Sequence, residues 1–180
     1  MKQEAIPLPR KPPIEPVRSG DVFAIPVDGD RAYIGQIVAK TAGALYVIVY
    51  DWIEPNIESI PQIEKVPSED PLFATLTLDS RFRPGMWKVV GHAETDPDRF
   101  LPAFSYETLE PGRVRITDFY DRVHRDATPD EAAAIPAREY RSPMRLEKAL
   151  RAREGLLPNL PSYDELIYRS TPTSANLFHS

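Results

Sequence analysis

The stretch RSGDVFAIPVDGDRAYIGQIVAK, residues 18–40, reads as a strand, a tight turn and a returning strand. Phe23, Ile25 and Val27 alternate with Val22, Ala24 and Pro26, the two-residue period of an extended chain. Asp28-Gly29-Asp30 between the two runs is a hairpin signal, because glycine takes positive φ at little cost. Gly35, inside the return strand AYIGQIVAK, marks a bulge or a sharp bend. Thr41-Ala42-Gly43 then turns the chain again, and ALYVIVYDW follows, rich in β-branched and aromatic residues. That run predicts a central strand. Three strands in a meander are the usual opening of a small antiparallel barrel.

Further along, IEPNIESIPQIEKVPSEDP breaks the alternation. Ile53, Ile57, Ile60 and Ile63 share a helical face, while Pro55 and Pro61 hold any helix to a short piece, so a short helical or irregular crossover is expected. Strands resume in LFATLTL and MWKVVG, separated by a turn at Pro84-Gly85. HAETDPDRFLPAFSYETLEPG is expected to be a long loop, and RVRITDFY a half-exposed edge strand. Beyond it the pattern turns helical. Thr128, Pro129 and Glu131 form a capping box, Ser142 and Pro143 open a second helix that Gly155 ends, and Ser162 with Glu165 suggests a third cap. The fold class expected is mostly β (α+β): a small antiparallel, partly open β-barrel with short C-terminal helices. Phe23, Ile25, Ile37, Val47, Val49, Leu76, Trp87 and Val89 are its expected core. The division expected is a proline-rich arm over 1–18, a barrel domain over 19–125 and a helical extension over 126–180.

Composition sets the outer bounds. The 180 residues suffice for one sizeable core, and 20 prolines favour short elements joined by fixed turns. Five prolines fall at positions 7, 9, 12, 13 and 16, so the arm is expected to be extended, either a loose tail or a strap across the barrel or a partner. The formal net charge of −5 argues against a nucleic-acid binder and is compatible with a basic protein partner. There is no cysteine, so disulfides and thiolate metal sites are excluded, which suits a reducing cytoplasm. The N-terminal sequence lacks the apolar core of a signal peptide, and AGALYVIVY is too short to span a bilayer. No membrane partner, nucleic acid, cofactor or metal is expected.

Candidate chemistry is sparse. DFYDRVHRD brings Asp118, Asp121, His124 and Asp126 close together, a set able to supply an oriented general base or metal ligands, against the plainer reading of a solvated strand end. No phosphate-binding glycine loop, zinc-protease helix motif or serine-nucleophile elbow is present. The densest charge lies in the crossover, where Asp51, Glu54, Glu58, Glu64, Glu69 and Asp70 gather with Lys65 as the one basic residue among them. Acidic charge beside an aromatic such as Trp52 suits steered docking to a basic protein; the plainer account makes Trp52 core and the acids solvated. Arg145, Lys148, Arg151 and Arg153 read as the wet face of an amphipathic helix.

GDVFAIPVDGDRAYIGQIV resembles the start of the immunity protein 26 family of bacterial polymorphic toxin systems. PLFATLTLDSRFRPGMWKVVGHAE followed by LPAF is similar to that family's closing half, so the likeness spans roughly residues 19–104. Gly20-Asp21-Val22, Phe23, the aromatic-Ile-Gly of the second strand and Trp87 with Val90-Gly91 carry it. The resemblance implies a mostly β cytoplasmic protein that binds and blocks a cognate toxin domain without catalysis. Two other readings stand beside it. One is a PemK/MazF-like endoribonuclease toxin on a small barrel, but the Arg-Pro-Ala-Leu-Val tract of that kind is missing after the hairpin and the charge is negative. The other is a hydrolase using Asp121 and His124.

Overall fold

The computed structural model describes residues 16–178. The proline-rich arm therefore lies outside the described residues except for its last three positions. Five strands, β1 (Asp21–Pro26), β2 (Ala32–Lys40), β3 (Leu45–Glu54), β4 (Phe73–Thr77) and β5 (Lys88–His92), form one antiparallel sheet in the order β4-β3-β2-β1-β5. β6 (Phe104–Glu107), β7 (Val114–Thr117) and β8 (His124–Asp126) form a second antiparallel sheet in the order β6-β7-β8. The mostly β, α+β class holds. The sheets do not close into a barrel.

The open sheet is stable because both its faces are covered. One face carries Phe23, Ile25, Tyr33, Ile37, Val47 and Val49, packed with Trp87 and with Leu146, Ala149 and Leu150 of helix α3 (Pro143–Arg153). The other carries Val22, Ala24, Ile34, Val38, Tyr46 and Ile48, packed with Phe104 and Phe119 from the second sheet and its end. β1 and β2 are thus buried on both sides, which is why they read as nearly continuous apolar runs. Seven of the eight expected core residues are buried; Val89 is 42% exposed. It lies opposite Phe23 on the outermost strand β5 and is not part of either buried cluster.

The β1–β2 turn closes differently from the expected Asp-Gly turn. Gly29 is not in the left-handed region. Instead the Asp28 carboxylate accepts from the amides of Asp30 and Arg31 at 3.0 and 2.8 Å and from the Arg31 guanidinium at 2.8 Å. The Arg31 amide, then the Asp30 amide, hold the Asp28 carboxyl down to about 2. Gly35 does sit at a register shift between β2 and β3. A Cβ there would come 2.8 Å from the Phe23 ring and 2.9 Å from the Ile48 carbonyl.

The expected long loop after His92 contains a helical turn, α1 (Pro97–Phe100), and β6. β7, expected at an edge, lies between β6 and β8, so Thr117 and Asp118 are buried. Thr128 and Glu131 form the capping box of α2 (Pro129–Ala134), and Ser142 caps α3 through the Met144 amide. Ser162 caps nothing: residues Pro161–Leu166 form a 3-10 helix preceded by Leu160. A last short helix, α4 (Ser174–Phe178), follows.

Neither edge of the large sheet is left open. The crossover after β3 passes the β1–β2 turn, where the Ile57 amide donates to the Asp30 carbonyl at 2.7 Å. It then reaches β5, where the Ile63 amide donates to Val90 and the Ile63 carbonyl accepts from His92, both at 3.0 Å. It returns to begin β4, whose own outer edge is met by Tyr140-Arg141 and by Ile167-Tyr168. Covered edges deny other chains a template for strand addition.

Candidate functional site

The acidic crossover is a strap, and its apolar side is part of the core. Ile63 is buried, and Trp52, Ile57, Ile60 and Val66 pack against the same cluster. Its carboxylates face outward, but they are not equivalent. Asp51 is bridged by Arg153 of α3 at 3.2 Å, Asp70 by Arg99 of α1 at 2.8 Å, and Glu54 accepts from the Trp52 indole at 2.8 Å. Glu58, Glu64 and Glu69 are exposed and make no ion pair among the described residues. Asp51 and Glu54 thus lie at the end of β3 and the other four acids on the strap that follows it, and three of the six are engaged by their own protein. Their partners Arg99 and Arg153 lie 29 and 102 residues away in sequence, which is why local spacing did not reveal them.

The Asp118–Asp126 cluster divides: Asp118 and Asp126 serve structural contacts, while Asp121 and His124 stay adjacent and line one pocket with Tyr106 and Arg138. Asp118 is buried and caps the turn, accepting from the amides of Arg122 at 2.6 Å and Val123 at 3.0 Å. Burial pushes its carboxyl up, but the amides of Val123, Arg122 and Tyr120 outweigh burial and leave it below the usual range. Asp126 pairs with Arg113 at 3.1 Å and Arg115 at 3.4 Å. His124 Nε2 donates to the Asp121 backbone carbonyl at 3.2 Å, so in the neutral ring Nδ1 accepts from the Tyr106 hydroxyl at 3.0 Å. The Asp121 carboxylate is 3.8 Å from Nε2, a loose ion pair rather than an orienting hydrogen bond. Asp121 itself has a φ of 64°, in the left-handed region. No group of three or more potential metal-ligating side chains converges among the described residues.

The basic residues of α3 are shared between surface and structure. Arg145 bridges Glu165 at 3.2 Å and Arg153 bridges Asp51, while Lys148 and Arg151 are exposed. At the end of the same helix, Glu154 accepts from the Tyr33 hydroxyl at 2.7 Å and from Arg31 at 2.8 Å, pinning α3 to the β1–β2 hairpin.

The family model described as Immunity protein 26 matches residues 18–115. The chain belongs to that family. The matched span takes in the whole five-stranded sheet, the strap, α1 and β6, and ends within β7. The part characteristic of immunity protein 26 is therefore the sheet with its crossover, whereas α3, which covers one face, lies beyond the matched residues. No curated protein and no solved structure matches the chain. No helix among the described residues is long and apolar enough to cross a membrane.

Proposed function

We propose that this member of the immunity protein 26 family neutralises a cognate toxin domain in the cytoplasm by binding it, without a catalytic step of its own. Membership of an immunity family over the whole sheet is the observation that carries this reading. The use of Asp118 and Asp126 in structural contacts, and the 3.8 Å between the Asp121 carboxylate and His124, too long for an orienting hydrogen bond, support the non-catalytic part. The toxin contact is proposed on the strap, as a surface meeting basic charge. Of the six acids on the strap and the end of β3 that leads into it, Glu58, Glu64 and Glu69 are the stronger contributors, because Asp51, Glu54 and Asp70 already have partners.

Opposite charges speed encounter, and salt weakens that gain. The test is stopped-flow association with the cognate toxin domain, at low and high salt. Reversing Glu58, Glu64 and Glu69 together to Lys is expected to slow association by about tenfold or more at low salt while melting stays unchanged. A wild-type association rate that ignores salt, with the reversed variant equally fast, would remove the strap from the interface.

A further inference from the structure

The three-stranded sheet sets a row of unlike side chains on one face. Phe104 of β6, Thr117 of β7 and His124 of β8 are direct cross-strand partners, so all three project to the same side, and Tyr106 joins them two residues beyond Phe104. These four, with Asp121 and Arg138, line a cavity of about 310 Å³. Two groups there are underused. Thr117 is 3% exposed, and its hydroxyl has no hydrogen-bond partner among the described residues. Buried hydroxyls are seldom left so, and this one calls for a reason. Arg138 has only backbone carbonyls as hydrogen-bond partners among the described residues: its Nη2 donates to Phe119 at 2.9 Å and to Asp118 at 3.4 Å. Its guanidinium lies 4.2 Å from the centre of the Phe104 ring. The cation is thus held in place with donors to spare. Because Phe104 is the cross-strand partner of Thr117, guanidinium and hydroxyl flank the same ring.

We propose that this cavity binds a small organic carboxylate, with one oxygen on the Arg138 guanidinium and the other on the Thr117 hydroxyl. A carboxylate only accepts, and both of these groups can donate. The remaining walls select among anions. Phe104 and Tyr106 present rings to an organic body. The Asp121 carboxylate opposes a second negative charge, so a monoanion fits better than phosphate. The neutral His124 ring is already occupied, Nδ1 by the Tyr106 hydroxyl and Nε2 by the Asp121 carbonyl, so it adds no donor. The volume suits a small ligand. Thr117, Asp121, His124 and Arg138 all lie beyond residue 115, where the family match ends, so the site belongs to the C-terminal part of this chain rather than to the sheet and strap. It does not depend on the toxin-binding reading and can fail independently of it.

Benzoate is titrated into the full chain at fixed pH and ionic strength and followed by amide NMR. Saturable shifts centred on Tyr106, Thr117 and His124 are expected, with Gly29 and Ile63 unmoved. Thr117→Val keeps the shape and removes the hydroxyl. It is expected to weaken benzoate about tenfold while the melting temperature holds or rises, because a buried hydroxyl without a partner has been removed. A merely structural hydroxyl would not separate the two readouts in this way. Arg138→Gln is expected to abolish the shifts; it also gives up the two carbonyl contacts, so Thr117→Val decides the matter if that variant unfolds. Benzyl alcohol, which keeps the ring and lacks the charge, is expected to leave the same amides in place. Equal binding of benzyl alcohol, undiminished binding by Thr117→Val, or no saturable shift with benzoate would overturn the proposal. Inorganic phosphate that displaces benzoate at equal concentration would overturn it in favour of a phosphate site.

Discussion

Ile63 lies so close over Gly91 that hydrogen is the only side chain the position admits. A Cβ on Gly91 would stand 2.0 Å from the Ile63 carbonyl oxygen and 2.7 Å from its backbone nitrogen and carbonyl carbon. Backbone cannot rotate aside as a side-chain tip can. Gly91→Ala is therefore expected to push the strap off β5 and break both hydrogen bonds there, costing about 1–3 kcal/mol. Chemical denaturation would measure the cost. Faster amide exchange at Ile63 would show that the strap has moved.

Trp87 should be the most costly single truncation in the core. It is 1% exposed, stacks on Phe23 at 5.3 Å and meets Phe82 edge-on at 5.4 Å. Trp87→Ala is expected to cost about 3–5 kcal/mol. Its indole also donates to Glu147 at 2.9 Å, which Arg81 bridges at the same distance. Trp87→Phe keeps most of the volume and loses that bond, so a smaller loss of about 1–2 kcal/mol is expected in the same denaturation series.

Acid stability should depend on the cap of α2. The Arg125 side chain, then the Thr128 amide, hold the Glu131 carboxyl down to about 2 from an ordinary 4.5. Since the folded value lies below the unfolded one, the stabilisation is full above about pH 5 and is lost as pH falls toward 2. Glu131→Gln is expected to lower the melting temperature at neutral pH and to flatten its decline across that acid range. A variant whose decline is as steep as that of the natural protein would assign the acid sensitivity to other carboxylates.

Removing the acid–histidine cluster should leave protection intact. Asp121→Gly combined with His124→Ala deletes both groups, and glycine suits the left-handed backbone that Asp121 occupies. Cells carrying this double variant are expected to survive the toxin as well as those carrying the natural protein, with melting unchanged or slightly raised. Sensitivity in a variant that still folds would return Asp121 and His124 to a functional role.

The meander and both helix caps were legible because each depends on neighbours a few residues apart: alternating apolar positions in β1, and Thr128 with Glu131 in α2. What escaped was set by contacts distant in sequence. Val89 is apolar like a core residue, and its exposure follows from the place of β5 at the margin of the sheet. β7 carries arginines suited to an edge, yet β8 pairs with it, and RVHRD has little strand character of its own. The candidate surface divides the same way. The acids of the strap were plain in the sequence, but Arg99 and Arg153, which engage two of them, come from helices that only the folded chain brings near.

The strap's route has a consequence for how the molecule opens. It leaves β3, is hydrogen-bonded to β5 through Ile63, and returns to start β4, so one covalent segment ties the two outer strands of the sheet. Fraying at β5 would release Ile63 and slacken the lead into β4, while peeling β4 would pull on Ile63. The two margins should then behave as one cooperative unit in which local loosening at either side spreads to the other. Partial unfolding that exposes a single bare strand is disfavoured by that coupling, and the protein gains protection from self-association during its transient openings as well as in its resting state.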